Sequence, residues 1–190
     1  MKIDNANTNA PVLGSERFHT FILYSLRKRG VFMLIRFAEK SELPAVNLLR
    51  KQVNDLHVAG KPDIFKPGFS DELQDYLYVV FDDPDKDVVV AVEDDTVLGF
   101  AILHAVRRPE TPYMKERNYL DVDEFCVAAF ARRHGVGRAL VDFIRRLAKD
   151  RGFPQVELNM WEFNQDALAF YEAVGFTTYR RYLELPVEDA

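Results

Sequence analysis

The chain has 190 residues, 48% of them hydrophobic and 29% charged; one domain accommodates that length, and the balance excludes a disordered chain, a collagen-like fibre and a polytopic membrane protein. The single cysteine, Cys126, excludes an internal disulfide framework or a four-thiolate zinc site and fits a reducing cytoplasm. The formal charge of −5 is uneven: Lys2, Arg17, Arg27, Lys28 and Arg29 against Asp4 and Glu16 give residues 1–32 a net of +3, leaving −8 for the remainder, which disfavours nucleic acid and suits a cationic ligand.

Residues 1–16 read as a polar leader, followed by a short apolar run from Phe18 to Leu26 and then Arg27-Lys28-Arg29-Gly30. A secretory signal places its charges before its apolar segment, and nine residues are too few to span a bilayer, so no membrane segment is expected. Residues 1–32 are read as an appendage, with Met33 a candidate natural start; an amphipathic lid or dimer arm is the alternative. Residues 33–190 form the domain.

Leu34–Ala38 is a strand candidate. Ser41, Glu42 and Pro44 suit a helix start, and Val46, Leu49, Val53 and Leu56 recur at helical spacing. Gly60–Gly68 is a loop, and Asp71–Phe81 a second helical pattern. Val88–Val92 and Val97–Ala105, joined at Glu93-Asp94-Asp95-Thr96, predict a hairpin. Pro109 and Pro112 mark 106–118 as an irregular connection. Tyr119–Val127 reads as a strand, Gly135–Lys149 as an amphipathic helix and Gln155–Trp161 as another strand. Gln165–Ala173 is a short helix closed by Gly175, and a last strand is expected over Phe176–Leu185. No repeat or long linker divides the pattern, which describes one mixed α/β unit.

The most informative stretch is Phe125-Cys126-Val127-Ala128-Ala129-Phe130-Ala131-Arg132-Arg133-His134-Gly135-Val136-Gly137-Arg138-Ala139-Leu140. A buried-looking strand passes through a turn into a helix whose start contains two glycines. Such a start offers unpaired amides, a favourable dipole and close approach to the main chain, and three arginines add positive charge. Those features point to a phosphate or diphosphate. The turn lacks the Gly-Lys-Ser/Thr ending of a nucleotide P-loop and the third glycine of the dinucleotide fingerprint. By itself a two-glycine turn also fits a tight helix–strand junction without ligand.

Arg132-x-x-Gly135-x-Gly137-x-Ala139, directly after a strand ending in Val127, resembles the acetyl-CoA signature of the GNAT acyltransferase superfamily. Asn164-x-x-Ala167-x-x-Phe170-Tyr171-Glu172-x-x-Gly175-Phe176 resembles the second signature of that family. The order of elements agrees from Met33 to about Leu185. The resemblance implies a central, mostly antiparallel mixed sheet flanked by helices and splayed at one parallel pair, with pantetheine in the resulting slot. It assigns Phe125, Cys126 and Val127 to pantetheine and thioester contacts, with an amide near Val127 polarising the thioester carbonyl. Arg132, Arg133, His134, Gly135, Val136, Gly137, Arg138 and Ala139 would hold the diphosphate. Asn159 and Asn164 would contact the cofactor arm, with Phe170 flanking it; Asn164 equally suits a helix N-cap.

The implied chemistry is attack of an amine on the acetyl carbon of acetyl-CoA, directly in a ternary complex. Tyr171 stands at the position that protonates the leaving thiolate, and also reads as a half-buried aromatic. The base is open: Glu124 and Asp123 jointly, Glu124 slightly ahead, or water, or no base if Asp121, Asp123 and Glu124 are a solvated acidic edge. Alternation sets Asp121 and Asp123 on one face and Glu124 on the other. His57, Asp63, Tyr113 and Tyr119 are candidates for acceptor binding, His57 also reading as an ordinary helix-end residue. Cys126 has no nearby histidine and reads as packing, and the histidines show no metal-ligand spacing. The expected acceptor is a small cationic amine such as a polyamine, aminoglycoside or amino-acid derivative. A protein amine as acceptor, or a non-catalytic acyl-CoA sensor, are the alternatives. A homodimer through the last strand or the hairpin follows from the resemblance only.

Overall fold

The structure, a computed structural model, describes residues 24–28 and 31–187, with side chains from residue 33 onward. The expected leader over residues 1–16 and most of the apolar run after it lie outside the described residues. The sheet itself begins before Met33. Strand β1 (Tyr24–Lys28) pairs antiparallel with β2 (Val31–Phe37), so the ladder reaches into the segment assigned to the amino-terminal extension.

Helix α1 (Leu43–Gly60) starts where Pro44 removes an amide that needs no partner, beside the pairing of Arg36 with both Glu42 oxygens at 2.8 and 2.9 Å. Helix α2 (Asp71–Asp82) begins at Ser70, whose hydroxyl accepts from the Leu73 amide. Strands β3 (Lys86–Glu93) and β4 (Thr96–Arg108) form the expected hairpin. Its turn is tighter than the four residues expected: Glu93 already pairs with Thr96, and Asp94 and Asp95 take φ of 44° and 61°, which short polar side chains tolerate. Strand β5 (Arg117–Val127) pairs with β4 over nearly its whole length. The irregular connection is therefore shorter than 106–118, because Pro109 and Pro112 interrupt the ladder only around the Thr111–Met114 turn.

Helix α3 (Val136–Asp150) buries Val136, Leu140, Phe143, Ile144 and Leu147 on one stripe, and Gly152 at φ +74° ends it. It packs against β2 through β6, while α1 and α2 pack against β3, β4 and β5. Seven consecutive buried residues, Val97–Leu103, show that both faces of β4 are covered. The last described elements are β6 (Val156–Leu158) and α4 (Gln165–Ala173). The six strands lie in order β1-β2-β3-β4-β5-β6, antiparallel except for β5 with β6.

Two expected strands differ. Gln155–Trp161 pairs only over Val156–Leu158, because the chain leaves β5 at Asn159. Phe176–Leu185 forms no strand: its neighbour offers a three-residue edge, too short for a ladder. Side chains tether that segment instead, Tyr179 Oη to Glu157 at 2.6 Å and Lys61 Nζ to Glu184 at 2.8 Å. Phe143 is 1% exposed at the centre of the core, edge-on to Phe37 with ring centroids 5.9 Å apart. Phe143→Ala is expected to lower unfolding free energy in urea by about 3–5 kcal/mol. Leu185→Ala, at a side chain 88% exposed, is expected to stay within about 0.5 kcal/mol.

Candidate active site

Beyond Val122 and Leu158 the two parallel strands part, and a V-shaped slot opens between the second half of β5 and the chain after β6. The main chain of β5 determines what faces it. Ala128 donates to Leu98 O at 2.8 Å and Cys126 lies opposite Phe100, so by antiparallel alternation the Phe125 and Val127 amides point away from β4. Arg132 Nε donates to Val127 O at 3.2 Å, while the Val127 N–H faces the slot.

The turn after β5 contains two left-handed residues, Arg133 at φ +63° and Gly135 at φ +92°. Gly135 caps α3 with no side-chain hydrogen bond, and the first amide returned to the helix is that of Ala139, to Gly135 O at 3.0 Å. The Val136, Gly137 and Arg138 amides thus form an open helix start. A Cβ on Gly135 would stand in empty space. Gly137 is different: its missing Cβ makes room for the Phe170 ring, which would lie 2.9 Å away. Arg132, Arg133 and His134 are exposed around the turn. Arg138 turns aside to donate to Ala173 O at 3.1 Å, closing the end of α4.

Aromatic rings line the slot. Phe125 stacks on Phe170 with centroids 5.7 Å apart and meets Tyr171 edge-on at 6.2 Å, and Tyr171 meets Phe176 at 5.7 Å. Burial among them, with the Cys126 thiol adding, pushes the Tyr171 hydroxyl up to about 12. It therefore stays protonated at neutral pH. Burial likewise raises the Cys126 thiol to about 11, leaving it a packing residue with little thiolate. Asn164 Oδ1 accepts from the Ala167 amide at 3.1 Å, so it caps α4. Asn159 is exposed where the chain leaves the sheet.

The carboxylates are arranged by an irregularity that alternation did not foresee. Ile102 lies opposite Glu124 and Leu103 opposite Val122, so Asp123 is an extra residue in β5. The bulge resets the alternation. Glu124 reaches Arg50 of α1 by two hydrogen bonds of 2.9 and 3.0 Å. Asp123 pairs with Lys86 at 3.2 Å; Lys86 lies opposite His104, which lies opposite Asp121. All three carboxylates therefore share the face that α1 and α2 cover. Neither ion pair includes Asp121, whose carboxyl is raised to about 6 by burial and by Asp123 and Glu157, with His104 opposing. Arg50 is itself 6% exposed and also donates to Asn47 Oδ1 and Leu73 O.

His57, near the end of α1, faces the same region. Its ring tilts over Phe65 with centroids 4.9 Å apart and meets Phe163 at 6.3 Å, while Phe65 meets Trp161 at 5.2 Å. Gly60 leaves the room that the Phe163 ring occupies. Burial lowers the His57 pKa below its ordinary 6.5, opposed by attraction to Glu124. Asp63 sits in the adjoining loop beside Lys61 at 3.7 Å. Tyr113 and Tyr119 do not join this cluster. Tyr113 is 85% exposed on the Thr111–Met114 turn, and Tyr119 is buried six residues before Phe125, about 20 Å along the strand. Arg50, Trp161 and Phe163 were not singled out from the sequence. Arg50 carried a legible signal, a charge on the apolar stripe four residues after Val46.

Comparison with known proteins agrees with this architecture. The family model described as Acetyltransferase (GNAT) family matches residues 50–176. A mouse (Mus musculus) protein named Probable N-acetyltransferase family 8 member 5 is 30% identical over 71 residues, 37% of this chain. The match spans only 31% of that protein's length. A crystal structure of the tetramutant of the BH1408 protein from Bacillus halodurans superposes with a TM-score of 0.77 at 26% identity, covering 80% of this chain and 99% of that one. The aminoglycoside N-acetyltransferase AAC(6')-Iy superposes with a TM-score of 0.66 at 20% identity, covering 86% of this chain and all of that one. With the splayed parallel pair, the open helix start and the matched family profile, the chain belongs to the GNAT acetyltransferase family.

Proposed function

We propose that the protein transfers an acetyl group from acetyl-CoA to the primary amine of a small cationic molecule, directly and without a covalent enzyme adduct. The observation that carries the reading is the turn into α3, which fits a diphosphate: an uncapped helix start, empty space at Gly135, and Arg132 and Arg133 exposed beside it. The slot leads from that turn to Phe125, Val127 and Tyr171. The structure of AAC(6')-Iy holds CoA and that enzyme acts on aminoglycosides, which supports both the cofactor and the class of acceptor.

Bound acetyl-CoA supplies an activated thioester. The Val127 amide points away from β4 toward the slot and in this reading donates to the thioester carbonyl oxygen. Tyr171 carries the proton that the departing sulfur needs. On the other side of β5, a carboxylate cluster with one charge in excess of Arg50 and Lys86, and the rings of Phe65, Trp161 and Phe163, attract a cation by charge and by their faces. Both oxygens of Glu124 are held by Arg50, Asp123 is held by Lys86, and Asp121 lies four residues back along β5 from Phe125, so the first proton acceptor in this reading is His57. Neutral imidazole takes the ammonium proton, and Glu124 stabilises the imidazolium. Glu124 thus acts through His57, and Asp123 contributes charge.

Isothermal titration with acetyl-CoA, and thiol release against an amine panel, test this reading. Gly135→Ala is expected to weaken acetyl-CoA binding at least tenfold, because its methyl enters the diphosphate space, at a folding cost of about 1–2 kcal/mol; unchanged affinity removes the cradle. Tyr171→Phe is expected to lower kcat about a hundredfold with acetyl-CoA affinity retained; tight binding with no thiol release from any amine points to a sensor instead. Since only neutral His57 accepts a proton, kcat/KM is expected to fall as pH drops through its lowered pKa. His57→Gln should abolish that limb, and a limb that persists assigns the proton elsewhere.

A further inference from the structure

The slot does not end where the thioester would lie. Phe125 and Tyr171 also line a cleft of about 510 Å³ that runs beneath the second half of α3. Its walls include Val141, Ile144, Phe153, Val156, Leu158 and Phe176. Val141, Ile144 and Phe153 are each less than 8% exposed, so the lining is fixed by the core rather than by surface side chains. Arg145 and Lys149 stand at the outer rim, Arg145 donating to Val174 O at 2.8 Å.

Direction along α3 assigns the cleft its place. The diphosphate turn is at Gly135, and a helix rises about 1.5 Å per residue, so Val141 to Lys149 lie about 9–21 Å further along the axis. A cofactor entering at the turn reaches Phe125 and Tyr171 first, and the cleft continues on the far side of them. An acetyl methyl occupies little of it. The volume falls within the range of about 300–1,000 Å³ typical of small-molecule sites. Apolar-walled space of this kind takes an apolar ligand in preference to water.

We propose that this cleft receives the acyl chain of the donor, and that the protein takes medium-chain acyl-CoA thioesters as well as, and more tightly than, acetyl-CoA. The proposal rests on the acyltransferase reading above and deepens its donor side. The chemistry at the thioester is unchanged: the neutral amine nitrogen bonds to the acyl carbon, the carbon–sulfur bond breaks, Tyr171 protonates the sulfur, and the proton that the nitrogen then gives up restores the Tyr171 hydroxyl through solvent.

Calorimetric titration of the full chain with CoA, acetyl-CoA and octanoyl-CoA tests it without an identified acceptor. Each methylene moved from water into the cleft is worth up to about fourfold in affinity. Octanoyl-CoA is therefore expected to bind at least about tenfold more tightly than acetyl-CoA. Val156→Trp and, independently, Val141→Phe fill the cleft; each is expected to erase that margin while acetyl-CoA affinity stays within about twofold, with thermal melts reporting whether the variant folds. Octanoyl-CoA binding no more tightly than acetyl-CoA to the unmodified protein overturns the proposal and leaves the acetyltransferase reading intact. A margin that survives in folded variants also overturns it, since the chain then lies elsewhere. Absence of binding by any thioester overturns the acyltransferase reading itself.

Discussion

The divergence of β5 from β6 after three paired residues is the constraint from which the site follows. Up to Val122 and Leu158 the ladder is closed. Past them, the outward amides of β5 lose their strand partner, and buried main-chain polar groups without partners are costly. A ligand that lies in the gap like an added strand satisfies them. The same divergence opens the path from the α3 turn to Tyr171, and it exposes β6 on a side that no further strand covers among the described residues.

A second irregularity on the same strand serves the opposite face. The extra residue at Asp123 re-aims Glu124 toward α1, where buried Arg50 receives it in a two-pronged pair and ties it to Asn47 and the carbonyl of Leu73. Removing one partner of so enclosed a pair leaves an uncompensated charge, which is why such pairs position neighbouring elements more than they stabilise the fold. Through it α1, α2 and β5 are held in one relation, and His57 is kept close to a carboxylate. The aromatic rings around Phe125 and the carboxylate of Glu124 thus lie on opposite faces of a single strand.

Much of this was legible in the residues. Helical spacing located α1, α2, α3 and α4, and the two glycine-bearing signatures located the turn and Tyr171, because local chemistry dictates both. Less legible was anything decided by a neighbour. The bulge is a register event between β4 and β5, invisible in either strand alone, and it moved Glu124 to the face opposite the one alternation assigns. The last strand failed for a similar reason: Phe176–Leu185 has the apolar pattern of a strand, but strand formation depends on a partner, and β6 is too short. Tyr113 and Tyr119 lie near the site in sequence and at the other end of a long strand in space. Arg138 was read as a phosphate ligand from its position in the motif, yet its guanidinium closes α4.

The contact between Gly137 and the Phe170 ring ties the two signatures into one mechanical unit. The spacing of α3 from α4 is set by the thickness of a benzene ring against bare backbone, and the residue beside that ring is Tyr171. A methyl group at position 137 would act as a wedge, transmitting a displacement to the hydroxyl with no change in the turn's charge. The bare backbone at Gly137 and the ring at Phe170 are thus a single steric constraint written at two distant places in the chain.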